Sequence, residues 1–201
     1  MMDAQEWLLD FVRFYKELGF FEEHSHLSER SIADWIGKKK GLDLSQKSCR
    51  KDYVVLGYLT RVWGVALDAV DSFDFSHAKE VGYGWKLHED ILNGWAGISR
   101  GSFRPEGVKS TWHSAEEPIR VEFTLADVPY VLQLEPDLLD DDSFYYYCNL
   151  TLMKLAEALN PCIRETGYHF VVWDLGCAAL VMCVTPNEKS LIAEGRDANF
   201  L

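Results

Sequence analysis

Three features of the sequence predict an α+β fold. Between residues 117 and 194, two pairs of strand-like runs alternate with two helical runs, in the order hairpin, helix, hairpin, helix. Residues 177–184 hold no polar position, as expected of a strand in the middle of a sheet rather than at its rim. Upstream, the chain to about residue 100 carries apolar side chains at helical spacing, punctuated by glycines. The expected architecture is a mainly antiparallel sheet from the C-terminal hairpins, packed by helices, with a helical N-terminal half.

From the N-terminus, residues 3–18 place Trp7, Leu8, Phe11, Val12, Phe14, Tyr15 and Leu18 over more than one narrow stripe of a helix, and Gly19 supplies its stop. A helix so apolar packs on two sides within its own fold, the alternative being a homodimer contact. A short helix is expected from Ser28, whose hydroxyl can cap free amides, to Gly37. The lysines at 38–40 stand alone with Asp43 close behind, and read as a solvated loop or helix end. Residues 51–69 predict a helix with Tyr53, Leu56, Leu59, Trp63 and Leu67 near one face. Asp68, Asp71 and Asp74 recur at intervals of three, but Val70, Phe73 and Phe75 do not supply the oxygen ligands of a calcium loop, so an acidic surface turn is expected. The next helix is expected over 79–98, facing the core with Leu87 or His88, Ile91, Leu92, Trp95 and Ile98. Gly101, Pro105 and Gly107 then interrupt regular structure and mark a boundary inside one domain spanning 1–201, helical over about 1–100 and sheet-bearing over about 108–201.

In the first hairpin Val121, Phe123 and Leu125 alternate with Glu122 and Thr124, and Tyr130, Leu132 and Leu134 repeat the pattern. A helix over 143–160 can be capped by Asp142 or Ser143. Its core face is Phe144, Cys148, Thr151, Leu152, Leu155 and Leu159, and Pro161 is expected to end it. The second hairpin turns around 174–176. Thr185, Pro186 and Glu188 then supply a cap, a first-turn proline and a third-position glutamate for a last helix over 186–194.

A chain of 201 residues with 11 Phe, 9 Tyr and 7 Trp can bury a substantial core without staples. Thirty-two acidic against twenty basic side chains give a net charge of −12, which repels nucleic acid and anionic lipid and favours a cationic protein partner. Five cysteines, odd in number and mostly inside apolar runs, read as reduced thiols. With no basic leader and no apolar run long enough to cross a bilayer as a helix, a cytoplasmic location without a membrane partner is expected.

Signature chemistry is sparse. The sequence has no Gly-x-Ser-x-Gly elbow, phosphate-cradling glycine loop, Rossmann fingerprint or His-Glu-x-x-His pair, and no cofactor is expected. His24 and His26, two residues apart beside Glu22 and Glu23, have a spacing a metal could use, but nothing fixes a third ligand, so no metal site is assigned. His113 precedes the first hairpin; if it met the carboxylates of 137–142, the pair could serve general acid–base hydrolysis. The favoured site lies elsewhere. Asp137, Asp140, Asp141 and Asp142 adjoin Tyr145 and Tyr146, which fall outside the core positions of the 143–160 helix, and together they would form an acidic face with an aromatic centre for protein binding.

ISRGSFRPEGVKSTW, VEFTLADVPYVLQLE, LNPCIRETGYHFVVWDLG and CVTPNEKSLIAEGRD together resemble a module of small bacterial proteins of the polymorphic-toxin immunity type, over about half the chain. The resemblance implies a stoichiometric inhibitor of a cognate toxin, with no cofactor and no catalytic residue. The expected function is therefore a protein-binding module, with toxin immunity as its most specific form. A small-molecule hydrolase using His113, or a non-catalytic structural subunit, are the alternatives.

Overall fold

The computed structural model describes residues 3–38, 42–63, 70–74, 87–111, 117–134, 144–175, 178–196 and 198–201. The chain divides into two compact units, Met1–Ser72 and Phe73–Leu201.

The first unit holds helices α1 (Ala4–Glu17), α2 (Glu29–Gly37) and α3 (Asp52–Trp63). Asp3 opens α1 with a capping box: its carboxylate accepts from the amides of Gln5 and Glu6, and the Glu6 carboxylate accepts from the Asp3 amide. Gly19, just beyond the end, takes the left-handed conformation at φ +84°. The apolar face of α1 buries Leu8, Phe11, Val12 and Tyr15, and the chain then folds Phe20 and Phe21 into the same core. Tyr15 sits between two rings, 4.8 Å from Phe11 and 5.1 Å from Phe20 between centroids; the buried positions form one stripe, contrary to the expected burial on two sides, and Trp7, Phe14 and Leu18 are half-buried. Ser28 caps α2 by accepting from the Ser31 amide, and the Lys16 ammonium donates to the Leu27 carbonyl, holding the α1–α2 connection. In α3, Val55, Leu56 and Leu59 are buried.

The unit boundary falls inside β1 (Val70–Asp74), where the sequence predicts an acidic surface turn. The structure corrects that expectation for 70–74, while Asp68 lies outside the described residues. β1 is the outer strand of a sheet ordered β1-β6-β5, with β5 His169–Asp174 and β6 Ala178–Val184. Aspartates disfavour a central strand but are tolerated at a rim, and the pairing partner lies about a hundred residues away in sequence, beyond the reach of local pattern.

The second sheet is ordered β2-β3-β4, from Glu106–Thr111, Ile119–Leu125 and Val128–Leu134, so the two expected hairpins belong to separate sheets. Both are antiparallel, running from Ile119↔Leu134 to Leu125↔Val128 and from His169↔Val184 to Asp174↔Ala179. The α+β class holds. In β3, Ile119, Val121 and Phe123 are buried while Arg120 and Glu122 face outward, paired to each other. The turn residues Ala126 and Asp127 both have positive φ, +49° and +65°, as a two-residue hairpin connection of the mirror-image type requires. In β6, every residue from Ala179 to Val184 is buried, in keeping with its central place in its sheet.

Helix α4 (Leu87–Ile98) touches β2 and β6, and α5 (Phe144–Ile163) touches β4, β5 and β6, so both helices link the two sheets. The expected α4 face is the buried one, with His88, Ile91, Leu92, Trp95 and Ile98; the segment 79–86 lies outside the described residues. Pro161 does not end α5, contrary to expectation: the helix runs on to Ile163, which is buried. Near a helix end a proline forfeits one backbone bond while tertiary burial keeps the last turn in place. The preceding residue, Asn160, uses its amide as a strand surrogate, donating to the Phe170 carbonyl and accepting from the Phe170 amide. Thr185 and Glu188 form the expected capping box at the start of α6 (Pro186–Arg196).

The interruption at 99–107 lies inside the second unit, where it pins an aromatic anchor. Buried Ser99 accepts from the Phe103 amide, and Phe103 presents its ring edge-on to Phe123 of β3 at 5.8 Å and to Phe170 of β5 at 5.7 Å. One side chain thus joins the cores of both sheets. Phe103→Ala should cost about 3–5 kcal/mol in urea unfolding, with Phe103→Leu costing clearly less; a loss below about 1 kcal/mol for the alanine variant would deny it that role.

Candidate functional site

Of the residues the sequence assigns to protein binding, Asp137, Asp140, Asp141 and Asp142 lie outside the described residues, as does His113 of the hydrolase alternative. Tyr145 and Tyr146 lie in the first turn of α5, as expected, and their side chains lie outside the described set. His24 faces the Trp35 ring, 6.1 Å between centroids, and His26 is exposed. Among the described residues no group of three His, Cys, Asp or Glu side chains could hold a metal ion. None of their helices is long and apolar enough to cross a membrane.

The division into units sharpens the electrostatics. Met1–Ser72 carries twelve acidic and ten basic residues, net −2, whereas Phe73–Leu201 carries twenty acidic and ten basic, net −10. The second unit therefore generates most of the long-range negative field.

Within the second unit the structure brings together side chains that sequence spacing could not. Arg100, at φ +53° in the left-handed region, donates to the Glu188 carboxylate at 2.7 Å, and its guanidinium lies 5.5 Å from the centre of the Tyr168 ring. The side chains of Arg100 and Glu188 are only 10% and 14% exposed, so this pair is largely desolvated. Burial by itself lowers the Arg100 pKa, but Glu188 and Tyr168 outweigh it and hold the guanidinium above its usual value. Glu188 thus serves two partners, the Thr185 amide and Arg100, and ties the α4–β2 loop to α6. Glu188 was legible as a capping residue; nothing in the sequence marks Arg100 as its mate.

Beside this pair an open groove of about 530 Å³ runs along the end of α5, bordered by Glu157, Arg164, Tyr168, His169 and Pro186. Burial and then Lys189 lower the pKa of His169, and Glu188 partly opposes them. Cys49, Cys162 and Cys183 are free thiols. Burial pushes Cys183 up to about 11 and raises Cys162, which leaves both thiols protonated and poor nucleophiles near neutrality.

His88 is 4% exposed and its Nε2 finds no hydrogen-bond partner among the described residues; burial lowers its pKa to about 4. No family model matches the chain, and no curated protein or solved structure is detectably similar to it.

The unfolded chain binds a proton at His88 near pH 6.5 and the folded one only near pH 4, so stability from neutral His88 is present above pH 6.5 and lost as pH falls toward 4. Between pH 7 and 4 the wild type should lose about 3 kcal/mol more than His88→Leu in urea unfolding; parallel pH profiles would show that the imidazole is not held neutral. Glu188→Ala should destabilise by about 3 kcal/mol, because it strands the Arg100 charge and removes a cap, and Glu188→Gln by clearly less. Equal small losses, sensitive to salt, would identify the pair as solvent-screened.

Proposed function

We propose that this chain is a protein-binding module that takes a cationic protein on its acidic second unit, with immunity to a cognate toxin in the bacterial cytoplasm as the most specific form of that role. The observation that carries this reading is the charge division: the second unit holds −10 of the net −12. Half of its acidic excess lies in one stretch, where Glu135, Asp137, Asp140, Asp141 and Asp142 fall within eight residues immediately before α5. A field of that sign steers a basic partner into encounter, while rings such as Tyr145 and Tyr146 supply apolar area that slows its departure. The resemblance to immunity proteins adds the partner's identity as a toxin, and the reading requires no cofactor.

Co-expression with the neighbouring gene, followed by capture from native cells, should recover a basic protein. With that partner in hand, Asp140→Asn with Asp141→Asn should slow association about two- to tenfold at low salt, the difference shrinking as salt rises. Tyr146→Ala should speed dissociation about thirtyfold, the signature of an anchor worth about 2 kcal/mol. If both variants keep wild-type kinetics at both salt concentrations while remaining folded, this face is not the binding site.

A further inference from the structure

The sheets of the second unit treat their edges unequally. The outer edge of β2 is engaged by α4, where the Glu89 carboxylate accepts from the Ser110 amide at 2.9 Å. The outer edge of β5 is engaged twice: Asn160 brackets Phe170, and residues 200–201 return as a short antiparallel bridge, Phe200 pairing with Trp173 and the Leu201 amide donating to the Val172 carbonyl. β4 is different. It is the last strand of its sheet, and no hydrogen bond from a described residue reaches its outward backbone groups.

Which groups those are follows from the register. A two-residue connection makes Leu125 and Val128 a pair that exchanges backbone hydrogen bonds, and such pairs alternate along an antiparallel ladder. Tyr130, Leu132 and Leu134 therefore turn their amides to β3, and Pro129, Val131 and Gln133 turn theirs outward. Pro129, which has no amide hydrogen, occupies one of the outward positions, where a proline costs the ladder nothing. Among the described residues nothing pairs with the outward amides of Val131 and Gln133, and side chains along the strand are exposed, Val128 at 51% and Val131 at 49%.

We infer that the open edge of β4, residues 128–134, accepts an extended basic segment of a partner protein as a fourth strand, pairing with the outward groups of Val131 and Gln133. This rests on, and deepens, the reading of the chain as a binder of a cationic protein. Strand addition draws affinity from main-chain bonds and specificity from alternate side chains; Val128 and Val131, three positions apart, lie on opposite faces of the sheet, so each offers the incoming strand an apolar contact on its own face. Charge selects the occupant. The edge belongs to the unit that carries −10, Asp127 is exposed at one end of β4, and the sequence past the other end continues with the acidic stretch. A second copy of the chain would bring the same charge to the same edge and is disfavoured for that reason.

The test uses the full chain and two eight-residue peptides, acetylated and amidated, one alternating Val with Lys and one alternating Val with Glu. Amide hydrogen exchange by NMR, with and without each peptide, reads the edge directly. The Val–Lys peptide should slow exchange at Val131 and Gln133 at least about threefold, and the Val–Glu peptide should not. Val131→Pro removes one outward donor and leaves the β3–β4 ladder intact, so it should weaken Val–Lys binding about three- to tenfold, whereas Val131→Thr, which keeps the amide, should retain most of it. Should Val131→Pro fail to fold, the exchange pattern in the wild type decides alone. Failure of the Val–Lys peptide to bind, binding that leaves both amides exchanging freely, or prior protection of those amides in a sedimenting dimer would each overturn the proposal. Peptide binding that is weakened by salt yet spares the edge amides would sink the strand addition and leave the acidic-face reading standing. Edge protection that persists at full strength in the Asp140→Asn, Asp141→Asn variant and for the Val–Glu peptide would sink the charge-based reading instead.

Discussion

The second unit depends on burying β6, a strand whose residues from Ala179 to Val184 carry no hydrogen-bonding side chain beyond the Cys183 thiol and have almost no contact with water. Such a strand must be covered on both faces and paired on both edges, since any uncovered part would expose apolar surface or strand backbone polar groups. One face, with Ala179, Val181 and Cys183, joins Phe170 and Val172 of β5 in the core shared with α4 and α5. Across the sheet, Leu180, Met182 and Val184 align with Trp173, Val171 and His169, on the side where Phe200 packs edge-on against Trp173. The edges take β5 and β1. Most of the remaining architecture answers this demand: α5 leads into β5, α6 follows β6 at once, and β1 comes from far upstream to pair with β6.

Elements whose cause is local were readable from residues alone. Ser28 before an apolar period, Thr185 with Glu188, and the alternation of Val121, Phe123 and Leu125 each settle a boundary or a face within a few residues. What escaped had its cause at a distance. β1 is a strand because β6 needs a neighbour, not because Val70–Asp74 alternates strongly. Pro161 stays inside α5 because Ile163 is buried beyond it, a tertiary preference that overrides the propensity of one residue. Phe20 and Phe21, which lie between the two expected N-terminal helices, are core residues of the first unit. The capping box of α1 is of the local kind, since Asp3 and Glu6 stand three residues apart ahead of the apolar period.

A binding face is less legible in a sequence than a fold for a related reason. Net charge is additive and needs no structure, so an acidic chain announces a preference for basic partners at the level of composition. Affinity depends instead on a few desolvated anchors and on backbone groups left unpaired, which exist only after the chain has folded. Pro129 illustrates the gap: in the sequence it merely weakens a strand, whereas in the register it sits with its nitrogen facing away from the ladder and identifies an edge. Arg100 illustrates it again, since its left-handed backbone and its pairing with Glu188 both depend on the loop that carries Phe103 into the core.

Charge and edge also explain each other. An open strand edge with exposed valines invites self-association unless something opposes it, and soluble proteins usually place a lysine, a proline or a bulge there. β4 has the proline at its first outward position, then Val131 and Gln133, neither of which carries charge. The opposition comes from the unit as a whole, because two copies meeting edge to edge would bring two net charges of −10 together, a repulsion that acts through solvent and weakens with salt. The same field would favour the approach of the basic strand proposed above. In the proposed strand addition, acidity and an open edge would act as one device: the charge would choose which strands approach, and the two outward amides would hold the one that fits.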